Sequence, residues 1–177
     1  MSGLALVEDG ATFPDGSLVA VRQIGRNDGR RVSQFMGQMS EESEYLRFLS
    51  SSGGQRTIWV PRLINADQVD HLASGAFAAD RFGSSLVAVA ESIRYRDRPE
   101  WAEFAIVSSD RWQGMGIGTL LARHLADRAR SAGIRFWEAY MLSENRRMKR
   151  LLARVGTEVV THVESGLVTS IRDISLW

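Results

Sequence analysis

Three glycines at alternate positions, Gln113-Gly114-Met115-Gly116-Ile117-Gly118, stand between an apolar run and an amphipathic one. This arrangement constrains the chain more than any other feature. Glycine lets a backbone turn sharply and carries no Cβ to hold an anion away. The first amides of a helix have no partner within the helix, and the helix dipole favours negative charge there. A strand that ends in such a turn and continues as a helix therefore offers a seat for a diphosphate. A P-loop is excluded, because Thr119-Leu120 follows the last glycine where that motif needs Lys and Ser/Thr. The dinucleotide fingerprint is excluded by its different glycine spacing. On its own the turn fits a diphosphate site and an unliganded strand-to-helix turn equally well.

The flanking periodicities define the rest. Residues 101–108 read as a strand, apolar on both faces. Residues 114–132 read as a helix whose stripe is Ile117, Leu120, Leu121, Leu125 and Ala129, with Arg123, Asp127 and Arg130 facing away and Gly133 ending it. Upstream, a turn at 13–16 precedes a strand over 18–24. Helices follow from Asn27-Asp28 to about 39 and from Ser40 to 49, then a Ser/Gly loop over 50–55 and a short helix near 67–72. Strands at 75–79 and 86–95 are joined by a turn at 80–83. After the glycine helix come a strand at 134–142, a helix at 144–155 and strands at 159–164 and 167–174. The pattern predicts one α/β (α+β) domain over 1–177, with a core of about 18–175 and residues 1–17 as an N-terminal extension. Its sheet is mixed, mostly antiparallel and seven-stranded, with helices on both faces.

Composition narrows the chemistry. The absence of cysteine excludes disulfides, thiolate metal sites and cysteine nucleophiles. His71, His124 and His162 lack metal-ligand spacing, so no metal is expected. A net charge of +1 gives no case for nucleic acid or a membrane surface. No apolar run approaches the length of a bilayer span, and a cytoplasmic location is the default expectation.

With these elements in place, Gln113-x-x-Gly116-x-Gly118 resembles the Gln/Arg-x-x-Gly-x-Gly/Ala motif of the Gcn5-related N-acetyltransferases (GNAT). Residues 102–107, Ala-Glu-Phe-Ala-Ile-Val, look like that family's fourth strand. Asn145 looks like the asparagine that opens the helix after its fifth strand. The order of elements agrees over about 18–175. Within the family, Ser40-Glu41-Glu42-Ser43-Glu44-Tyr45-Leu46-Arg47-Phe48 and Val69-Asp70-His71 resemble segments of bacterial Pat-type protein-lysine acetyltransferases. Some of those carry an N-terminal cyclic-nucleotide domain; with about 17 residues ahead of the first strand, none is expected here.

The resemblance implies acetyl-CoA as cosubstrate and a primary amine as acceptor, a protein lysine first and a small amine, polyamine or amino acid second. The competing reading is a non-catalytic acyl-CoA-binding module. It further implies that backbone amides of Gln113, Gly114, Met115, Gly116, Ile117, Gly118 and Thr119 hold the pyrophosphate. Ala105, Ile106 and Val107 would pair with the pantetheine arm, and Asn145 would touch the cofactor. For Asn145 a plain helix N-cap is the equal alternative.

Glu103 is the catalytic candidate. A carboxylate within an apolar strand costs several kcal/mol unless paired or near water. Shelter of that kind tunes a carboxyl toward a base for an alkylammonium. The family places its catalytic glutamate here; an edge glutamate or an ion pair with arginine is the alternative. Many relatives carry a tyrosine seven residues after the asparagine, but Leu152 stands there. That leaves the donor to the departing thiolate unassigned; Tyr140 reads first as a packing residue and second as a distant candidate for that donor, with water or a backbone donor as the other option. Trp59 and Trp101 read as core. Arg146, Arg147, Lys149 and Arg150 read first as a solvated helix face and second as contacts to the coenzyme's ribose phosphate. Glu41, Glu42 and Glu44 open the second helix, where acids favour the dipole. The oligomeric state is not legible.

Overall fold

In the computed structural model, residues 10–13, 16–49, 55–80 and 83–177 are described. Eight strands form one sheet: β1 (Gly10–Thr12), β2 (Leu18–Gln23), β3 (His71–Asp80), β4 (Gly83–Arg94), β5 (Trp101–Ser108), β6 (Phe136–Leu142), β7 (Thr157–Glu164) and β8 (Leu167–Asp173). Their order is β1-β2-β3-β4-β5-β6-β8-β7, antiparallel throughout except at β5–β6. The mixed, mostly antiparallel sheet is as expected, with one strand more than seven. The extra strand is β1, which pairs with β2 inside what reads as an N-terminal extension.

Helices cover both faces. On one lies α4 (Ile117–Ser131), burying Ile117, Leu121, Ala122, Leu125, Ala126 and Ala129. On the other lie α1 (Gly29–Gly37) and α3 (Gln55–Ile64), which bury Phe35, Met36, Trp59 and Leu63 against Val89 and Val107. The short helix α2 (Glu41–Phe48) crosses β5, and α5 (Arg146–Leu152) follows β6. Ser40 caps α2 by accepting from the Ser43 amide at 3.2 Å.

Several local expectations are revised. No helix forms over 67–72. The Asp67 carboxylate accepts from the amides of Val69, Asp70 and His71, each at 2.9 Å, and Gln68 is left-handed at φ 63°, so the chain turns and enters β3 at His71. The helix lies earlier, as α3. Its internal Pro61 argues against helix locally, and burial of Trp59 and Leu63 outweighs that. A 3-10 turn, Asp110–Trp112, separates β5 from the glycines, and α4 starts at Ile117 rather than Gly114. The last helix ends at Leu152, with Ala153 as its C-cap, short of 155. Residues 50–54 of the Ser/Gly loop, 81–82 of the β3–β4 turn and 14–15 of the first turn lie outside the described residues. Trp59 is core, whereas Trp101 is half-buried and stacks on Phe136 at 4.7 Å.

The register of β5 positions everything that follows. Along one edge it pairs with β4 from Ala102 to Ser108. Along the other it pairs with β6 only from Trp101 to Glu103. Beyond Glu103 the two parallel strands diverge, and the β6-side edge of residues 104–108 makes no ladder with β6.

Candidate active site

The glycine turn lies at the open end of this split. Gly114 and Gly116 are left-handed, at φ 79° and 94°, and a Cβ added to either would meet nothing within 4 Å. Both facts describe a cradle: only glycine adopts this backbone without strain, and the space above it is open. The amides of Gln113 and Thr119 are already engaged, donating to Asp110 O (3.2 Å) and Gly116 O (3.1 Å). Those of Gly114 to Gly118 make no backbone hydrogen bond among the described residues and remain for a ligand. Ile117 turns its side chain into the core and Met115 packs against it, so only their main chains are available.

The Gln113 side chain ties elements together. Its Nε2 donates to Ser108 O (3.1 Å), Asp110 Oδ1 (3.0 Å) and Ser43 Oγ (3.1 Å), while Ser43 Oγ donates to Asp110 Oδ1 at 2.6 Å. The Ser43 hydrogen bond is the foremost cause holding the Asp110 carboxyl below its ordinary range. The start of α2 is thereby fastened to the turn.

A cavity of about 280 Å³ runs from the turn along Ile106, Val107 and Ser108 to α5. Arg147, Arg150 and Arg154 line it, giving three guanidiniums suited to phosphate oxygens. Arg147 and Arg150 are exposed, as a solvated helix face requires, and also border the cavity. Arg154 lay beyond the basic run, yet its spacing from 147 and 150 repeats at helical intervals, a legible signal. Asn145 lines the cavity too, and its Oδ1 accepts from the Met148 amide at 3.0 Å as the α5 N-cap. Leu152 is buried in the core and brings no polar atom to the site.

A second cavity, about 290 Å³, opens on the side of α2 and α3. Glu103, half-buried, lines it with Ala105, Tyr140 and Arg62. Tyr140 is not a packing residue: it is 39% exposed, with its hydroxyl 3.4 Å from that of Tyr95. Burial, with Glu103 and Glu138 nearby, raises its phenol above the ordinary value. Tyr140 faces Glu103 because both stand on the same face of the diverging strands.

The largest feature absent from the sequence reading is Glu91. It lies in β4, opposite Ala105, and is only 1% exposed. Its oxygens accept from Arg47 Nη2 (2.5 Å), Trp59 Nε1 (2.6 Å) and Arg62 Nη2 (2.9 Å), and meet His71 Nε2 at 2.9 Å. Burial by itself would push this carboxyl up. His71, the two arginines and the indole overcome that and hold it at about 2. Its one sequence signal is an acid inside the apolar run Leu86–Ile93.

A split parallel pair with an open glycine cradle at its mouth and a carboxylate on the far side is the arrangement of a transferase fold that could seat a phosphorylated acyl carrier beside a base. The comparisons give the family. The profile of the acetyltransferase (GNAT) family matches residues 41–157, and the chain belongs to that family, whose acyl donor is acetyl-CoA. An acetyltransferase of Pseudomonas aeruginosa is 26% identical over 145 residues, covering 82% of this chain and 77% of that protein. Acetyltransferase Pat of Mycolicibacterium smegmatis is 27% identical over 145 residues, and the match spans 80% of this chain and 41% of Pat. The crystal structure of the GNAT domain of S. lividans PAT superposes with a TM-score of 0.78 at 28% identity, covering 97% of this chain and 99% of that one. Among the described residues no helix is long and apolar enough to cross a membrane.

Proposed function

We propose that this acetyltransferase moves the acetyl group of acetyl-CoA to the side-chain amine of a protein lysine, with Glu103 as general base. The observation that carries the reading is the split after Glu103: one strand offers a free backbone edge to the cofactor and, one residue earlier, a carboxylate to the acceptor. The free amides of 114–118 suit the pyrophosphate, and the unpaired edge at Ala105, Ile106 and Val107 suits the amide-bearing pantetheine arm, much as a strand would be added. Arg147, Arg150 and Arg154 suit the remaining phosphate.

The donor supplies an activated acetyl group as a thioester; the protein supplies position and proton transfer. The acceptor amine arrives as an ammonium without a free lone pair. Glu103, directly or through water, takes one proton from it, and amides of the β5 edge polarise the acetyl carbonyl. The nitrogen–carbon bond forms, the carbon–sulfur bond breaks, and coenzyme A leaves as a thiolate, while the nitrogen's second proton passes to that thiolate or to water to leave a neutral amide. A protein lysine is favoured over a small amine by the likeness to Pat-type segments and by the full-length match to the S. lividans PAT domain. Thiol release from acetyl-CoA, measured against lysine peptides, polyamines and amino acids with product masses recorded, tests it. Acceptor-dependent release with acetylated lysine peptide is expected. Turnover confined to small amines would overturn the acceptor, and coenzyme binding without turnover would overturn catalysis.

A further inference from the structure

Arg47 is the charged side chain at the point where the two cavities meet. Among the described residues only Leu46, Arg47, Ile106, Asn145 and Met148 line both. Two of these are aliphatic, one is a thioether, and Asn145 spends its Oδ1 capping α5. A thioester delivered along one cavity to an amine held in the other must have its reacting carbon at this junction. The chemistry there adds negative charge to the carbonyl oxygen as the amine attacks.

The guanidinium is fixed and not fully used. Arg47 is nine-tenths buried, and its Nη2 donates to Glu91 at 2.5 Å. It lies 5.4 Å from the centre of the Trp59 ring and 5.1 Å from that of Phe48, and those two rings pack edge to face at 5.3 Å. Its buried Nε has no hydrogen-bond partner among the described residues, an unusual expense for a buried donor in a purely structural ion pair. Burial lowers the guanidinium's proton affinity, Glu91 opposes that most and Glu103 less, and Arg47 and Glu103 line the same cavity. Glu91 is itself held by Trp59, Arg62 and His71, so the mount under Arg47 is rigid.

We propose that Arg47 is a catalytic residue: its guanidinium donates to the carbonyl oxygen of the bound acyl thioester and holds the negative charge that oxygen gains during attack. The carbon–nitrogen bond forms as the carbonyl π pair moves to oxygen beside Arg47. The pair then returns, the carbon–sulfur bond breaks, and the thiolate leaves with its electrons. One ammonium proton goes to the base on the other side before attack, and the nitrogen's second proton passes to the departing thiolate or to water. This rests on the acetyltransferase reading for its reaction, but the contact itself is testable by binding alone.

The probes are acetyl-CoA and S-ethyl-coenzyme A, a thioether with methylene in place of the carbonyl, each titrated calorimetrically. The wild type should prefer acetyl-CoA roughly tenfold, the size of one charge-assisted hydrogen bond. Arg47→Met should reduce that preference below twofold and lower kcat about a hundredfold or more, as for an oxyanion donor, with little change in the KM for acceptor. Arg172→Met removes another buried arginine, one that pairs with Glu158 and lines neither cavity, and should keep the preference and kcat within twofold. If Arg47→Met does not fold, Arg47→Met/Glu91→Gln, which leaves no lone carboxylate behind, carries the same comparison. An unchanged preference in the Arg47 variant, or equal losses in Arg172→Met, overturns the assignment. A preference that depends on Arg47 in a protein that turns over no acceptor sustains the contact and sinks the acetyltransferase reading instead.

Discussion

Glu91→Gln tests the energetics of the site's foundation. The wild-type carboxyl is held at about 2 against an ordinary 4.5. Each pKa unit corresponds to about 1.4 kcal/mol, so the ionised group stabilises the fold at neutral pH by about 3 kcal/mol. The side chain is almost wholly buried, so little of this is screened by solvent. Breaking a buried pair by removing one charge gives a comparable figure of about 3–5 kcal/mol. That is a large share of a typical stability of roughly 5–15 kcal/mol. The depressed pKa fixes the sign: the contribution is complete above about pH 4.5 and is lost as pH falls toward 2. Urea unfolding of both proteins between pH 7 and pH 3 provides the assay. The variant should be less stable by about 3 kcal/mol at pH 7, and the gap should narrow in acid because only the wild type loses this contribution. A gap under about 1 kcal/mol at pH 7, or one that stays constant into acid, would refute the reasoning.

Glu103→Gln should lower kcat about a hundredfold or more near pH 7 and progressively less toward pH 10, where a lysine amine loses its own proton; a pH-independent loss would remove Glu103 as base. Gly116→Val should raise the Kd for coenzyme A at least about tenfold, since φ is 94° and the new side chain would fill the cradle; unchanged calorimetric affinity would move the phosphate site elsewhere. Gly156→Ala should cost more than about 2 kcal/mol, because φ is 55° and the added Cβ would collide with the Asp173 carbonyl oxygen. Gly133→Ala, at φ 82° but with open space, should cost only about 1 kcal/mol; equal values in denaturant melts would show that the contact adds nothing.

By itself the sequence determined the elements whose physics is local. The strand–glycine–helix run is legible because left-handed turns select glycine and because α4 buries one stripe. Asn145 at a helix start and Glu103 within an apolar strand were legible from their neighbours alone. Helix α3 was not, because Pro61 speaks against it locally while the burial of Trp59 and Leu63 that overrides this comes from distant strands. Only the tertiary structure decided how the site is assembled. The split after Glu103 depends on β6, some 35 positions away, leaving the ladder. Glu91 draws its partners from 44, 32, 29 and 20 residues away in sequence. A buried charge is tolerable only where such partners converge, and convergence is a property of packing that no window of sequence contains.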